Sequence, residues 1–344
     1  MDVNQLMATA KALMTEGKGL LAMDESNPTC NKRFAALGIA QTPEARRAYR
    51  DLIVTTPGLG DFISGAILFD ETLRQQTNAG ISFVDALKKA GIIPGIKVDT
   101  GARDMAGFPG EKVTEGLDGL RPRLAEYAAM GARFAKWRAV ITVGDGIPTW
   151  SCIEANAHAL ARYAALCQEA GLVPIVEPEV LMDGSHTLEQ CLAATEKSQH
   201  ALFHQLYQMR VDLRGVILKP NMVLPGKACP RQDPVDRVAD VTVTCLLANV
   251  PAILPGVAFL SGGQSAELAS QRLQAMNLRF QGRMPWALTF SYSRAIQQPA
   301  LELWKGQPAN IPAAQRALHQ RAACNSAARR GVYNAAMEKH PGQS

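Results

Sequence analysis

Eight short apolar, β-branched-rich runs recur along this chain, with longer stretches of helical spacing between them. The runs are Gly19–Asp24, Ile63–Phe69, Ile93–Asp99, Arg133–Ile141, Val173–Val180, Gly215–Lys219, Val257–Ser261 and Ala287–Ser291. Intervening segments such as Leu117–Met130, Ile153–Ala170 and Thr187–Arg210 set Leu and Ala against charge at helical intervals. Alternation of this kind is the pattern of βαβ units and a parallel sheet. Eight units predict an α/β fold, a (β/α)8 TIM barrel in a single domain over residues 1–344, with a C-terminal helix and tail from about 312. A doubly wound open sheet also alternates strand and helix. No run, however, is followed by a G-x-G-x-x-G turn opening a helix, so its dinucleotide-binding variant loses support.

Composition narrows the function classes. No apolar run approaches the ~18–20 residues that a membrane helix needs. The segment Met1–Ala10 holds Asp2 and lacks a basic region ahead of an apolar one, so a cytoplasmic protein is expected, or a plastid stromal one if a transit peptide has been removed. The seven cysteines form no C-x-x-C pair, and free thiols are expected. His200 and His204 lie four apart without the glutamate of an H-E-x-x-H site, which predicts a plain helix surface and no metal. Net charge is +5, and the densest basic stretch, with Arg321, Arg329 and Arg330, is expected on a solvated helix face or a subunit contact. Without a broader basic stripe and interleaved aromatics, nucleic-acid binding is not expected. A mild positive balance does suit small anionic substrates.

The informative feature is charge where apolar sequence is due. A parallel barrel strand is buried on both faces and ought to be nearly continuous in apolar residues. Five runs break that rule late in their length. The first ends in Asp24, the third holds Lys97 and Asp99, the fourth Lys136 and Arg138, the fifth Glu177 and Glu179, and the sixth Lys219. Residues two apart point to one side of a strand, so these four acids and four bases are expected to converge at the C-terminal mouth. Buried charges persist when paired, and barrel enzymes place their chemistry at this rim.

Lys219 is the sole charge of its run, set among branched apolar residues. Burial and a nearby cation such as Lys136 would both disfavour its ammonium form, and a neutral lysine attacks carbonyls to form a Schiff base. Lys97 and Lys136 suit anchoring and polarising roles. Glu177 and Glu179 share a strand face and can divide acid and base work, while Asp24 supplies a further base. In Leu260-Ser261-Gly262-Gly263-Gln264-Ser265 the glycines and backbone N–H groups can cradle an anion at a helix start. Arg294, just past Ser291, is placed to grip the same phosphate. Ser26, Thr29 and Lys97 form a candidate second anion site; capping and loop hydrogen bonds are the simpler role for the two hydroxyls. Two anion sites flanking a lysine suggest a carbonyl substrate phosphorylated at both ends.

Seven segments resemble class I fructose-bisphosphate aldolase: Leu21–Ser26, Gly95–Asp99, Arg133–Arg138, Val173–Glu179, Leu218–Met222, Phe259–Ser265 and Leu288–Tyr292. They run in order between about Leu20 and about Tyr333, and the stretch Asp24–Cys30 looks most like plant plastid and photosynthetic-microbe members. The resemblance implies that Lys219 forms a Schiff base with dihydroxyacetone phosphate and that Glu177 is the acid/base for carbinolamine dehydration. Asp24 would take the C4 hydroxyl proton, with Lys136 and Glu179 supporting the charge network. Ser261, Gly262 and Arg294 would bind the C1 phosphate, and Ser26, Thr29 and Lys97 the C6 phosphate, with Arg138, Gly263 and Ser291 also at the substrate. The protonated imine is the electron sink, so no cofactor or metal is implied; the partners are a sugar bisphosphate and triose phosphates, and the assembly a homotetramer. Three departures stand out. The chain ends His340–Ser344 where many relatives end in tyrosine, Ser293 replaces a common glycine, and Thr100 replaces a common lysine. The rivals are another lysine aldolase on this fold, with sedoheptulose 1,7-bisphosphate as a possible second substrate, and a non-catalytic scaffold. The scaffold would have lost some of Asp24, Lys136, Glu177 and Lys219, yet all four are present. A zinc-dependent aldolase is disfavoured because no histidine lies in a strand-end motif.

Overall fold

A computed structural model describes residues 2–338. Among the described residues ten strands occur in chain order: β1 (Gly19–Met23), β2 (Ile63–Leu68), β3 (Ile93–Lys97), β4 (Gly101–Asp104), β5 (Lys112–Glu115), β6 (Phe134–Ile141), β7 (Val173–Val180), β8 (Ile217–Leu218), β9 (Gly256–Phe259) and β10 (Ala287–Tyr292). Eight of them close a parallel barrel in the order β1-β10-β9-β8-β7-β6-β3-β2, and they coincide with the eight expected runs. The helices are α1 (Val3–Leu13), α2 (Asn27–Ala35), α3 (Pro43–Val54), α4 (Asp70–Leu73), α5 (Phe83–Lys89), α6 (Leu120–Ala129), α7 (Trp150–Glu169), α8 (Leu188–Gln208), α9 (Val235–Asn249), α10 (Ala266–Arg279), α11 (Arg294–Trp304) and α12 (Ile311–Arg329). No helix among the described residues is long and apolar enough to cross a membrane. His200 and His204 lie exposed on α8, as expected.

The floor of the barrel is apolar. Helix α1 closes the N-terminal mouth, setting Leu6, Ala10, Leu13 and Met14 against Leu20, Ile67, Phe134, Val173, Ile175 and Ile217. Phe134 needs room, and its neighbours on β2 and β3 supply it by being glycine. A Cβ on Gly95 would lie 2.2 Å from the Phe134 ring, and one on Gly65 3.2 Å from it. Above this floor the period-two alternation carries each inward column from apolar to ionised: Leu20-Ala22-Asp24, Ile93-Gly95-Lys97, Phe134-Lys136-Arg138 and Ile175-Glu177-Glu179. Regular pairing of β8 spans two residues because Pro220 lacks an N–H. The ladder nonetheless extends by one more bond, Lys219 N–H to the Val176 carbonyl at 2.8 Å, which fixes Lys219 beside Glu177.

Two features depart from expectation. The antiparallel hairpin β4–β5 stands between β3 and α6, and Thr114 on β5 ties it to β6 through the Arg138 carbonyl at 2.8 Å. Its strands are four residues each and mostly polar, so no period-two pattern marked them. The basic C-terminal helix is also not a solvated face at Arg321 and Arg329, both of which are buried. Arg329 donates to the carbonyls of Met14, Thr15 and Lys18, satisfying orphan groups past the end of α1. Arg321 pairs with Glu338 and donates to the Ala266 and Ala295 carbonyls. Here the guanidinium is a multi-donor clasp rather than a surface charge.

The floor packing generates a stability prediction. Gly95→Ala should cost about 1–3 kcal/mol through overpacking against Phe134, read by urea unfolding; a change within about 0.5 kcal/mol would show that the ring shifts freely.

Candidate active site

Above the apolar floor, a cavity of about 720 Å3 opens at the C-terminal ends of the strands. Its lining includes Asp24, Ser26, Thr29, Lys97, Lys136, Arg138, Glu177, Glu179, Lys219, Ser261, Gly262, Ser291 and Arg294. Gly263 lies just behind the wall, where a Cβ would sit 3.0 Å from the Arg294 guanidinium. Asp99 faces an adjoining cavity that also holds Thr100 and Arg123 and shares Ser26 and Lys97 with the first.

The eight strand charges pair completely. Lys136 Nζ lies 2.7 Å from Asp24 Oδ2 and 2.9 Å from Glu177 Oε2, and Lys219 Nζ lies 3.1 Å from Glu177 Oε1. This ladder of alternating sign is buried throughout, its members being 2–8% exposed. Lys97 pairs with Asp99 at 3.3 Å, and Arg138 with Glu179. The Lys219 ammonium therefore meets a carboxylate first, with Lys136 on the far side of it.

Burial alone would push the Asp24 carboxyl up, but Lys136, then Lys219 and Lys97, outweigh it and hold it well below the usual range. Glu177 is likewise raised by burial and lowered on balance by Lys136, Lys219 and Arg138. For Lys136, desolvation is overcome by Asp24, Glu177 and Asp99, so its ammonium is held above the usual lysine range. Asp24, Glu177 and Lys136 are thus held in their charged forms by the neighbouring charges instead of by water.

Both candidate anion sites take shape at the rim. Ser26 occupies the N-cap position of α2 without making a capping bond; its hydroxyl instead pairs with that of Thr29 at 3.0 Å, beside Lys97. Opposite, Gly262 and Gly263 turn the chain with φ of 61° and 90°, a region that favours glycine. Among the described residues, neither N–H has a protein acceptor. Partial burial, then the charge of Arg33, hold the Arg294 guanidinium below its ordinary value. Such crowding of cations favours an incoming anion.

Sequence reasoning missed Glu25, Arg33 and Lys227. Glu25 pairs with Arg33 and Arg50, each at 2.6 Å, and accepts from the Ser293 hydroxyl at 2.7 Å, so the serine that replaces a common glycine steadies this carboxylate. Glu25 follows Asp24 with opposite strand parity, and nothing local announced its two arginines. Lys227 Nζ would be 2.8 Å from a Cβ on Gly263, and it pairs with Asp183. Tyr333, the last tyrosine, donates to Glu338 at 2.6 Å and is not in the cavity lining. Residues 339–344, which include the departing C-terminus His340–Ser344, lie outside the described residues.

A closed parallel barrel with a buried lysine–carboxylate ladder at the C-terminal ends of its strands has the build of a barrel enzyme. The family model for class I fructose-bisphosphate aldolase matches residues 5–344, and the chain belongs to that family. A relative described as a probable fructose-bisphosphate aldolase class 1 from Xanthomonas axonopodis pv. citri is 56% identical, covering 97% of this chain and 99% of that one. The chloroplastic fructose-bisphosphate aldolase 3 of Arabidopsis thaliana is 50% identical, covering 97% and 85%. In three dimensions, a fructose-bisphosphate aldolase from Plasmodium falciparum superposes with a TM-score of 0.94 at 48% identity, covering 96% of this chain and 95% of that one. The bacterial relative thus exceeds the chloroplastic one in identity, so the expected plastid or photosynthetic-microbe subtype narrows to the family itself.

The pairing bears on stability in two measurable ways. Lys136→Met leaves Asp24 and Glu177 without their shared cation and should cost about 3–5 kcal/mol in urea unfolding; a loss under about 1 kcal/mol would mean the ladder is not ionised. Burial raises Glu25, but Arg50 and Arg33 bring it down to about 2 from an ordinary 4.5. A depressed carboxylate adds stability that is complete above pH 4.5 and lost as pH falls through about 2. Glu25→Gln should therefore flatten the stability profile across that window, and an unchanged acid slope would contradict the pairing.

Proposed function

We propose that this chain catalyses the reversible aldol cleavage of fructose 1,6-bisphosphate to dihydroxyacetone phosphate and glyceraldehyde 3-phosphate, through a Schiff base on Lys219. The observation that carries this reading is the 3.1 Å contact between Lys219 Nζ and Glu177 Oε1 inside the buried ladder. Glu177 takes a proton from the ammonium, the free amine attacks the C2 carbonyl, and a proton passes from the nitrogen to the new alkoxide to give a carbinolamine. Its nitrogen is neutral, so Glu177 loses one of the cations that hold its carboxyl down while the effect of burial remains. The carboxyl pKa therefore rises, and Glu177 keeps its proton until the step at which it protonates the leaving hydroxyl and releases water. Asp24, across the lumen, accepts the C4 hydroxyl proton. The C3–C4 bond then breaks, its electron pair moves into the iminium to form an enamine, and the aldehyde leaves. Protonation at C3 and hydrolysis return the ketone and the lysine.

Ser261, Gly262 and Arg294 hold the C1 phosphate in this reading, with Gly263 and Ser291 also at the substrate. Ser26, Thr29 and Lys97 hold the C6 phosphate, with Arg138 and Glu179 alongside the sugar. Two anchored ends orient the carbonyl at the amine and bring the C4 hydroxyl to Asp24. A homotetramer working in the cytoplasm is the setting we propose; the chloroplastic relative makes the plastid stroma the second setting.

Borohydride reduction with dihydroxyacetone phosphate, followed by peptide mass spectrometry, tests the assignment. The expected result is a stable adduct on Lys219, formed equally with a chelator present. Lys219→Met should lose the adduct, with turnover reduced by about 10^4-fold or more, the scale of a removed covalent nucleophile. An adduct on Lys97 or Lys136 would overturn the roles assigned to the three lysines. No adduct from folded protein, or chelator-sensitive turnover, would overturn the reaction.

A further inference from the structure

One buried cation has no place in that chemistry. Arg272, on α10, is 4% exposed, and among the described residues no carboxylate lies within ion-pair distance of it. Asp233, the acid that bears on it electrostatically, is itself paired with Arg237 at 2.9 Å. Among the described residues, Arg272 Nε has no hydrogen-bond partner and the guanidinium's one protein acceptor is the Gln264 side chain, Nη1 to Oε1 at 2.8 Å. Burial brings the guanidinium down to about 10, which leaves it protonated in neutral solution. A buried charge without a counterion is costly, so its position invites a reason.

Gln264 supplies one. Its amide Nε2 donates to the Ser261 carbonyl at 3.0 Å, and its backbone N–H donates to the same oxygen at 3.0 Å. Arg272 pulls electron density from the amide oxygen and strengthens the amide as a donor, since linked hydrogen bonds polarise one another. A trans peptide is planar, with its C=O and N–H directed oppositely. Fixing the Ser261 carbonyl toward Gln264 therefore turns the Gly262 N–H the other way. That N–H has no protein acceptor among the described residues, and Gly262 lines the cavity.

We propose that Arg272 is a positioning residue: acting through Gln264, it fixes the Ser261–Gly262 peptide so that the turn presents its N–H to the substrate phosphate. This rests on reading residues 261–263 as the C1-phosphate site. The phosphate dianion in turn places negative charge near a guanidinium that the protein leaves unneutralised, so the buried cation adds to anion binding instead of to folding.

Three variants test it, with inorganic phosphate as competitive inhibitor and borohydride trapping on Lys219 as a second readout. Arg272→Met should weaken phosphate inhibition about tenfold and raise KM for the bisphosphate by a similar factor, with kcat within about threefold. Trapping should fall with dihydroxyacetone phosphate and hold with unphosphorylated dihydroxyacetone. Arg272→Lys, which keeps the charge, should recover most of the phosphate affinity. Gln264→Glu is decisive, and it stands alone if Arg272→Met does not fold. It gives the guanidinium a carboxylate partner and so keeps or raises stability, yet it removes the amide bond to Ser261 and should weaken phosphate inhibition about tenfold. Wild-type phosphate inhibition in Gln264→Glu would overturn the proposal, as would equal loss of trapping for both ketones in Arg272→Met. Arg294→Ala separates the two layers. If it leaves phosphate inhibition unchanged, the phosphate reading of this rim falls and the Arg272 role with it. If it weakens inhibition while Gln264→Glu does not, only the Arg272 role falls.

Discussion

Four alternating charges, Asp24, Lys136, Glu177 and Lys219, hold one another inside the barrel, and the rest of the structure is arranged around keeping them there. Each taken alone would be driven to its neutral form by burial. Together, at separations of 2.7 to 3.1 Å, every ion is solvated by its neighbours. That requires β1 to face β6, although β2 and β3 separate them along the sheet. An open sheet would leave Asp24 far from Lys136. Closure is thus a condition for ionisation as well as for packing.

The lumen is divided to serve this. Its lower half, sealed by α1, is a dry floor in which Phe134 fills the space left by glycines on neighbouring strands. Its upper half is polar, because the inward position of five of the strands turns ionisable as the mouth is approached. The floor excludes water from beneath the ladder, and low dielectric strengthens each pair above it. It also makes the ladder responsive. Neutralising the Lys219 nitrogen removes one of the cations opposing burial at Glu177, so a covalent event at the amine changes the acidity of the carboxyl 3.1 Å away.

Around the ladder stands a second tier of guanidinium groups that work by orienting others. Arg33 and Arg50 hold Glu25, with Ser293 completing its hydrogen bonds. Arg329 gathers carbonyls beyond the end of α1 and so anchors the plug of the floor. Arg272 reaches the Ser261–Gly262 turn through Gln264. A planar fork with several donors suits such tasks better than a point charge.

The sequence by itself determined the eight strands, the shared face of the paired strand charges, the convergence of eight charges at one mouth and the standing of Lys219 as the lone charge of its run. These rest on local periodicity, which the chain carries wherever it folds. Tertiary structure alone decided who pairs with whom: Asp24 with Lys136 across the lumen, Glu177 shared between two lysines, and Glu25 with Arg33 and Arg50. It also decided that Arg321 and Arg329 turn inward and that the β4–β5 hairpin forms from short polar segments. Such contacts join residues far apart in the chain, or too few to show a period, and their distances exist only once the barrel has closed.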